Sequence, residues 1–165
     1  MNQAHYHLLL NHLPIIIPFV GVAVMLVGII FKSEIVKRTA YMIFITGAIF
    51  TFPASETGEG AEEIVENIEG ISEEFIHTHE EASETFALLS YILGAVSLIG
   101  LWINLKKKSY SNIIVYVTIL FSAVVMFFAR QTGRTGGEIR HPEIRKDYQL
   151  NPAKAENEEE DEHDE

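Results

Sequence analysis

Long apolar stretches alternate with polar connections along this 165-residue chain. Two of them, residues 13–31 and 86–105, carry no charge and have the length of roughly 20 residues that crosses a hydrocarbon core about 30 Å thick. A third stretch covers residues 113–129. A weaker fourth covers residues 35–52, begins with charged residues and is predicted to end at Pro53. The pattern predicts an all-α fold, a four-helix transmembrane bundle in a lipid bilayer.

The connections between the apolar stretches differ in length. Short polar links near residues 32–38 and 106–112 join the first stretch to the second and the third to the fourth, so successive helices should pack antiparallel. Residues 54–85 form a longer connection. Within it, apolar residues recur at helical spacing among glutamates, which predicts an amphipathic extracytoplasmic helix over residues 61–80. These apolar positions are Ile64, Ile68, Ile71 and Phe75.

The end of the chain differs in composition from the rest. Residues 156–165 are almost entirely acidic, and such a segment cannot bury enough apolar surface to fold. We therefore predict a four-span membrane domain over residues 1–147 and a disordered acidic tail over residues 148–165.

Basic residues near the apolar stretches predict the orientation. Lys32, Lys37 and Arg38 follow the first stretch, Lys106–Lys108 follow the third, and no basic residue precedes the first. The positive-inside rule then places both short links in the cytoplasm and both termini outside. Basic residues after the fourth stretch oppose this assignment. We keep it because no basic residue precedes the first stretch and because the first helix usually dominates the orientation. The opposing residues are Arg130, Arg134, Arg140, Arg145 and Lys146.

The composition of the chain excludes several kinds of functional site. The chain has no cysteine, which excludes thiolate-bound zinc, iron–sulfur clusters and covalently attached haem c. A net charge of −11 argues against a nucleic-acid partner, because phosphate binding needs a basic surface. No nucleophile elbow, metalloprotease helix or phosphate loop occurs, so we assign no catalytic residue. Ionisable groups within membrane spans normally mark a transport pathway. The apolar stretches hold few such groups, so transport ranks low among the candidate functions.

Histidines gather on one predicted side of the membrane. With four spans, every histidine ahead of the acidic tail falls on the side of the termini. Imidazole nitrogens bind haem iron and transition metals, and neighbouring carboxylates serve as ligands or as hydrogen-bond acceptors. For haem b, the preferred axial pair is His12 with His79. The reserve ligands and the residues expected near the haem propionates are His7, His141, Arg134 and Arg140. The candidate ligands of a transition metal ion are His7, His12, His79, Glu80, Glu138 and His141.

Three motifs carry a resemblance to known proteins. They are residues 7–15 (HLLLNHLPI), residues 57–63 (TGEGAEE) together with residues 79–82 (HEEA), and residues 136–144 (GGEIRHPEI). On these motifs the chain, from about residue 7 to residue 144, resembles a group of small bacterial four-span membrane proteins of unknown function. That group is similar in style to membrane b-type cytochromes. The resemblance implies a multi-pass protein of the bacterial inner membrane and implies no established activity.

Two functions compete on these patterns. The first is binding of haem b or a transition metal ion for electron transfer, in which case replacement of His12 or His79 should remove the cofactor. The alternative is a non-catalytic structural or assembly subunit that docks a protein partner through its acidic outer loop or tail. Self-association into a homo-oligomer is left open by the sequence.

Overall fold

The structure, a computed structural model, describes residues 1–68 and 70–145, and this part of the chain contains helices and no strand. The α-helices are α1 (Gln3–Leu10), α2 (His12–Ile30), α3 (Glu34–Val65), α4 (Glu73–Leu105) and α5 (Ser111–Arg140), and a 3-10 turn follows at Pro142–Ile144. The all-α prediction is confirmed for these residues. The predicted disordered tail, residues 148–165, lies outside them.

Four helices of the described chain are long and apolar enough to cross a membrane, with α1 and α2 together counting as one. Short turns at residues 31–33 and 106–110 join α2 to α3 and α4 to α5, so successive helices run antiparallel. We call the end of the bundle that holds these two turns the link end. The opposite end, formed by α1, the α3–α4 connection and the C-terminus of α5, is the terminal end.

Both turns at the link end have the same backbone conformation. Lys32 and Lys107 each adopt a φ of 51°, in the left-handed region. The next residue in each turn donates its N–H back across the helix end, Ser33 to the carbonyl of Gly28 at 2.9 Å and Lys108 to that of Ile103 at 3.3 Å. This is the left-handed helix cap that satisfies the last carbonyls of a helix. It stops α2 and α4 and reverses the chain.

The bundle carries many large apolar side chains on its outside, and its interior combines an apolar core with small polar side chains. Phe19, Leu120 and Phe127 are exposed, whereas Ser97 and Thr118 are 0% exposed. A soluble helical bundle has the reverse distribution, with its large apolar side chains inside. Small residues also allow close helix contact: a Cβ on Gly94 of α4 would lie 2.5 Å from the Cβ of an alanine on α3.

The helices extend further at the terminal end than the sequence predicts. The predicted end of the second helix at Pro53 is wrong, because α3 continues through Pro53 to Val65. The separate helix predicted over residues 61–80 is also wrong: residues 61–65 end α3, residues 73–80 begin α4, and the chain turns between them with Gly70 at a φ of +86°.

Tertiary contact explains these extensions. Ala54 and Ala61 of α3 and Ile76 and Ala82 of α4 are buried, so the polar ends of both helices gain packing against the bundle. A proline removes one backbone donor and can kink a helix, but buried contacts on either side of it keep the helix continuous. At 33 residues, α4 is about 50 Å long, well beyond a hydrocarbon core of about 30 Å. The part of the bundle beyond that length, at the terminal end, is called the head.

Candidate histidine site at the terminal end

The head holds two histidines from separate helices. His7 lies on α1, which packs on the C-terminal half of α3. His79 lies on the N-terminal part of α4 and contacts the C-terminal part of α5. Both side chains are half-buried. Burial lowers the pKa of His79, and a charge on His7 lowers that pKa further.

The protein holds the ring of His7 through one nitrogen. Its Nδ1 lies 3.1 Å from the carbonyl oxygen of Ala54, and a carbonyl only accepts hydrogen bonds, so Nδ1 carries the proton. The neutral ring then has an unprotonated Nε2. Gly58 provides the space for the ring, since a Cβ at Gly58 would lie 3.3 Å from the Cε1 atom of His7.

The ring of His79 is held in the same way. Its Nδ1 lies 3.1 Å from Oγ1 of Thr135, and that hydroxyl also lies 3.1 Å from the carbonyl oxygen of Thr132. The hydroxyl donates its one hydrogen to Thr132, and in that arrangement it accepts from Nδ1 of His79 and leaves Nε2 unprotonated. The His79 ring also has a hydrogen bond to the backbone at Thr132. A Cβ at Gly136 would lie 2.9 Å from the Cε1 atom of His79.

Burial favours the neutral form of both rings. Desolvation lowers the pKa of His7 and of His79 below the ordinary value of 6.5, and both residues lie outside the four apolar stretches. Positive charge on His12 lowers the pKa of His7 further, and charge on His7 lowers that of His79. Hydrogen bonds to the backbone at Ala54 and Thr132 oppose these shifts. Desolvation in the head thus favours the neutral imidazole at both positions.

The other predicted site residues are held elsewhere. His12 is exposed, and Glu80 lies 3.1 Å from Nδ1 of His77. His141 is exposed and pairs with Glu143 at 2.8 Å. Glu138 is buried and lies 3.6 Å from Nε of Arg134, and Arg140 is exposed. Across residues 1–68 and 70–145, no group of three or more His, Asp or Glu side chains is arranged to hold a metal ion. The six predicted metal ligands therefore do not form one cluster here.

The link end holds a polar network that sequence reasoning missed. Asn104, 2% exposed, accepts a hydrogen bond from Nε of Arg38 at 2.6 Å and donates to Glu34 and to Ser111. The nearly buried Lys37 donates to Glu34 at 2.7 Å and also to Asn112. One signal was present in the sequence. Asn104 follows the buried Ser90 and Ser97 at seven-residue spacing, which places all three on one helical face.

The pH dependence of stability should reveal the protonation of the two half-buried histidines. Because the folded pKa values of His7 and His79 lie below 6.5, the unfolded chain binds protons that the folded chain rejects as the pH falls through 6.5. Their contribution to stability is complete above that pH and is lost on acidification. We expect the melting temperature, followed by circular dichroism in detergent, to fall between about pH 8 and about pH 5, and to fall less in His7→Gln and His79→Gln.

His77 provides the control of opposite sign. Its hydrogen bond to Glu80 raises its pKa, so its contribution to stability is present at low pH and lost as the pH rises. His77→Gln should therefore steepen the loss of stability on acidification. Equal pH profiles for His7→Gln, His79→Gln and His77→Gln would contradict the assignment of the buried pair.

No protein-family model matches this chain, and neither a curated protein nor a solved structure matches it. The resemblance to bacterial four-span membrane proteins therefore stays a prediction, and the assignment of function depends on the chain's own geometry.

Proposed function

We propose that the chain is a four-span integral membrane protein that holds haem b between His7 and His79 at its terminal end and transfers electrons. The membrane placement is supported by the large apolar side chains on the outside of the bundle and by the four helices long enough to span. The basic residues of the two links favour the link end as the cytoplasmic one. The histidines would then face outward from the inner membrane of a bacterium.

The observation that carries the cofactor proposal is the hydrogen-bonding pattern that the two rings share. In each, Nδ1–H is hydrogen-bonded to the protein, to Ala54 or to Thr135, and Nε2 is left as an acceptor. Metal-binding histidines are typically fixed this way, since the hydrogen bond on one nitrogen sets the tautomer and increases the basicity of the other. His7 thereby replaces His12 as the preferred partner of His79, because His12 is exposed.

The number of ligands favours haem over a bare metal ion. Haem iron takes four nitrogens from the porphyrin and needs only two from the protein, whereas a protein-held zinc or copper ion needs three or four. The head offers two anchored imidazoles, and the described residues contain no three-ligand group. Two imidazole donors are the number and type that bis-histidine haem requires, and this supports haem over a bare ion. The short helix α1, which carries His7, packs chiefly on α3 and joins α2 at Asn11.

The residues of the head would then have separate roles. His7 and His79 would hold the iron, which supplies reversible one-electron redox chemistry when bound. Ala54 and Thr135 would fix the rings and set the basicity of their Nε2 atoms. Arg134 and Arg140, on the same end of α5, remain the candidates for contacts with the propionates.

An absorption spectrum of the detergent-purified protein, oxidised and then reduced with dithionite, tests this proposal. We expect a Soret band and a reduced α-band of the b type in the wild-type protein, both lost in His7→Ala and in His79→Ala. His12→Ala and His141→Ala are the matched controls and should keep both bands, because these two histidines are exposed. Circular dichroism of each variant separates loss of cofactor from loss of fold, and added imidazole should restore the bands in His79→Ala.

Other outcomes have definite meanings. A colourless protein with stoichiometric metal by elemental analysis would replace haem with a bare ion. A colourless, metal-free protein that stays so after reconstitution with haemin would refute cofactor binding. Bands lost in His12→Ala but kept in His7→Ala would refute the axial pair.

A second candidate, an assembly subunit, is favoured by the acidic surface of the head. The pKa of Glu62 is raised, first by desolvation and then by repulsion from Glu80, Glu66 and Glu59. Carboxylates that repel each other would be stabilised by a basic protein partner. In that case Glu62→Gln with Glu66→Gln would release a co-purifying partner, and replacement of His7 or His79 would have no effect.

A further inference from the structure

A cleft of about 260 Å³ opens at the link end, away from the histidines. Lys32 and Lys37 provide cationic groups and Asn112 an amide, while Ile29 and Tyr116 provide apolar walls. The apolar lining belongs to α2 and α5, within the stretches 13–31 and 113–129, and the polar lining belongs to the turn and the helix starts. The cleft therefore lies where apolar side chains give way to polar ones.

The charges in the cleft favour an anion. Lys37 has an 8% exposed side chain and donates to Glu34 and Asn112, which uses two of its three N–H donors. Glu34 is the acidic residue in the lining, but one of its oxygens is bonded to Lys37 and the other to Asn104. Lys32 is exposed at the mouth of the cleft. The cleft thus retains a net positive charge and an unused donor.

We propose that this cleft binds the phosphate of an anionic phospholipid, with the headgroup against Lys32 and Lys37 and an acyl chain along Ile29 and Tyr116. A lipid is favoured over a free anion because half of the lining is apolar and continues into the membrane-facing surface of α2 and α5. Basic residues at the cytoplasmic side of a span attract anionic lipid, by about 1 kcal/mol for each Lys or Arg. The proposal rests on the membrane placement above and is independent of the histidine pair.

The chain contains a matched control for Lys32. Lys107 occupies the same position in the other turn, with the same φ of 51° and a corresponding backbone hydrogen bond, and it is also exposed. It does not line the cleft. Lys32→Gln and Lys107→Gln therefore remove the same charge from the same end of the molecule and impose the same backbone strain. They differ only in their position relative to the cleft.

The test is native mass spectrometry of the full-length protein released from detergent, titrated separately with phosphatidylglycerol, phosphatidylcholine and inorganic phosphate. We expect one tightly bound phosphatidylglycerol on the wild-type protein and on Lys107→Gln, and about fivefold weaker binding to Lys32→Gln. Lys37→Gln should weaken binding at least as much. Circular dichroism checks its fold, and Lys32→Gln decides the result if Lys37→Gln does not fold.

Three results would overturn the proposal. Equal losses in Lys32→Gln and Lys107→Gln would mean general attraction to a basic surface. Equal binding of phosphatidylcholine and phosphatidylglycerol would mean that the anionic charge is not recognised. Inorganic phosphate binding as tightly as phosphatidylglycerol would make a free anion the ligand. Retention of the haem bands alongside any of these results would separate this failure from a failure of the proposed electron-transfer function.

Discussion

Asn104→Leu is expected to lower the free energy of unfolding by about 3 kcal/mol. Leucine has the same number and branching of side-chain heavy atoms as asparagine and is larger, so the change leaves no cavity and removes the hydrogen bonds. Asn104 accepts from Arg38 and donates to both Glu34 and Ser111. Replacing Asn104 leaves the partners of these hydrogen bonds unsatisfied in a part-buried site. Each unsatisfied group lowers the free energy of unfolding by about 1–3 kcal/mol.

Asn67→Leu provides the comparison for this prediction. Asn67 is exposed, and its amide donates only to the carbonyl of Glu63 in the preceding turn, at 2.7 Å. Its replacement should change stability by no more than about 0.5 kcal/mol. Folded fraction followed by circular dichroism during titration with sodium dodecyl sulfate measures both variants. A loss in Asn104→Leu no larger than in Asn67→Leu would mean that the network does not stabilise the link end.

The apolar cores of the helices were predictable, but their polar ends were not. Residues 86–105 read as a helix because a long uncharged stretch has few other stable forms in a membrane. The extension of α4 back to Glu73 follows instead from tertiary contact, since Ile76 and Ala82 are buried against the bundle. Hydropathy averaged along the chain does not record which polar residues have a neighbouring helix to pack on.

The choice between His7 and His12 shows a similar limit. The two residues are separated by about 140° on a regular helix, so at most one of them faces the bundle. Sequence spacing does not say which one. The structure turns His7 toward Ala54 and Gly58 and leaves His12 exposed. The glycine at position 58 was the available signal, because a glycine at helical spacing in a polar segment often marks a close approach by another group.

The polar network at the link end could not be predicted from the sequence, for a different reason. Lys37 and Arg38 were correctly read as the charged start of a helix, but their partners lie far along the chain, at Asn112 and Asn104. Single-sequence patterns detect neighbours three, four or seven residues apart and carry no information about pairs from different helices. The antiparallel arrangement, which was predictable, brings these partners together only once the lengths of both turns are fixed.

If His79 binds haem as proposed, Thr135→Val is expected to weaken that binding by about 10–100-fold while leaving the bundle folded, because partners of metal-binding histidines have effects of this size. Valine keeps the shape of threonine but cannot accept the hydrogen bond from Nδ1 of His79. The proton of His79 is then free to move to Nε2, which removes the lone pair needed by iron. Haemin titration followed at the Soret band measures the affinity.

Thr118→Val is the matched variant for this last experiment. Thr118 lies on the same helix, is 0% exposed, and donates to the carbonyl of Ile114 at 2.8 Å within that helix. It should bind haemin as the wild-type protein does. Nitrogen-15 NMR of the imidazoles gives a readout that needs no cofactor: the His79 signal, assigned by its loss in His79→Gln, should change tautomer in Thr135→Val and stay unchanged in Thr118→Val. Identical spectra for these two threonine variants would show that Thr135 does not set the tautomer, and the reason for choosing His79 as a haem ligand would be lost with it.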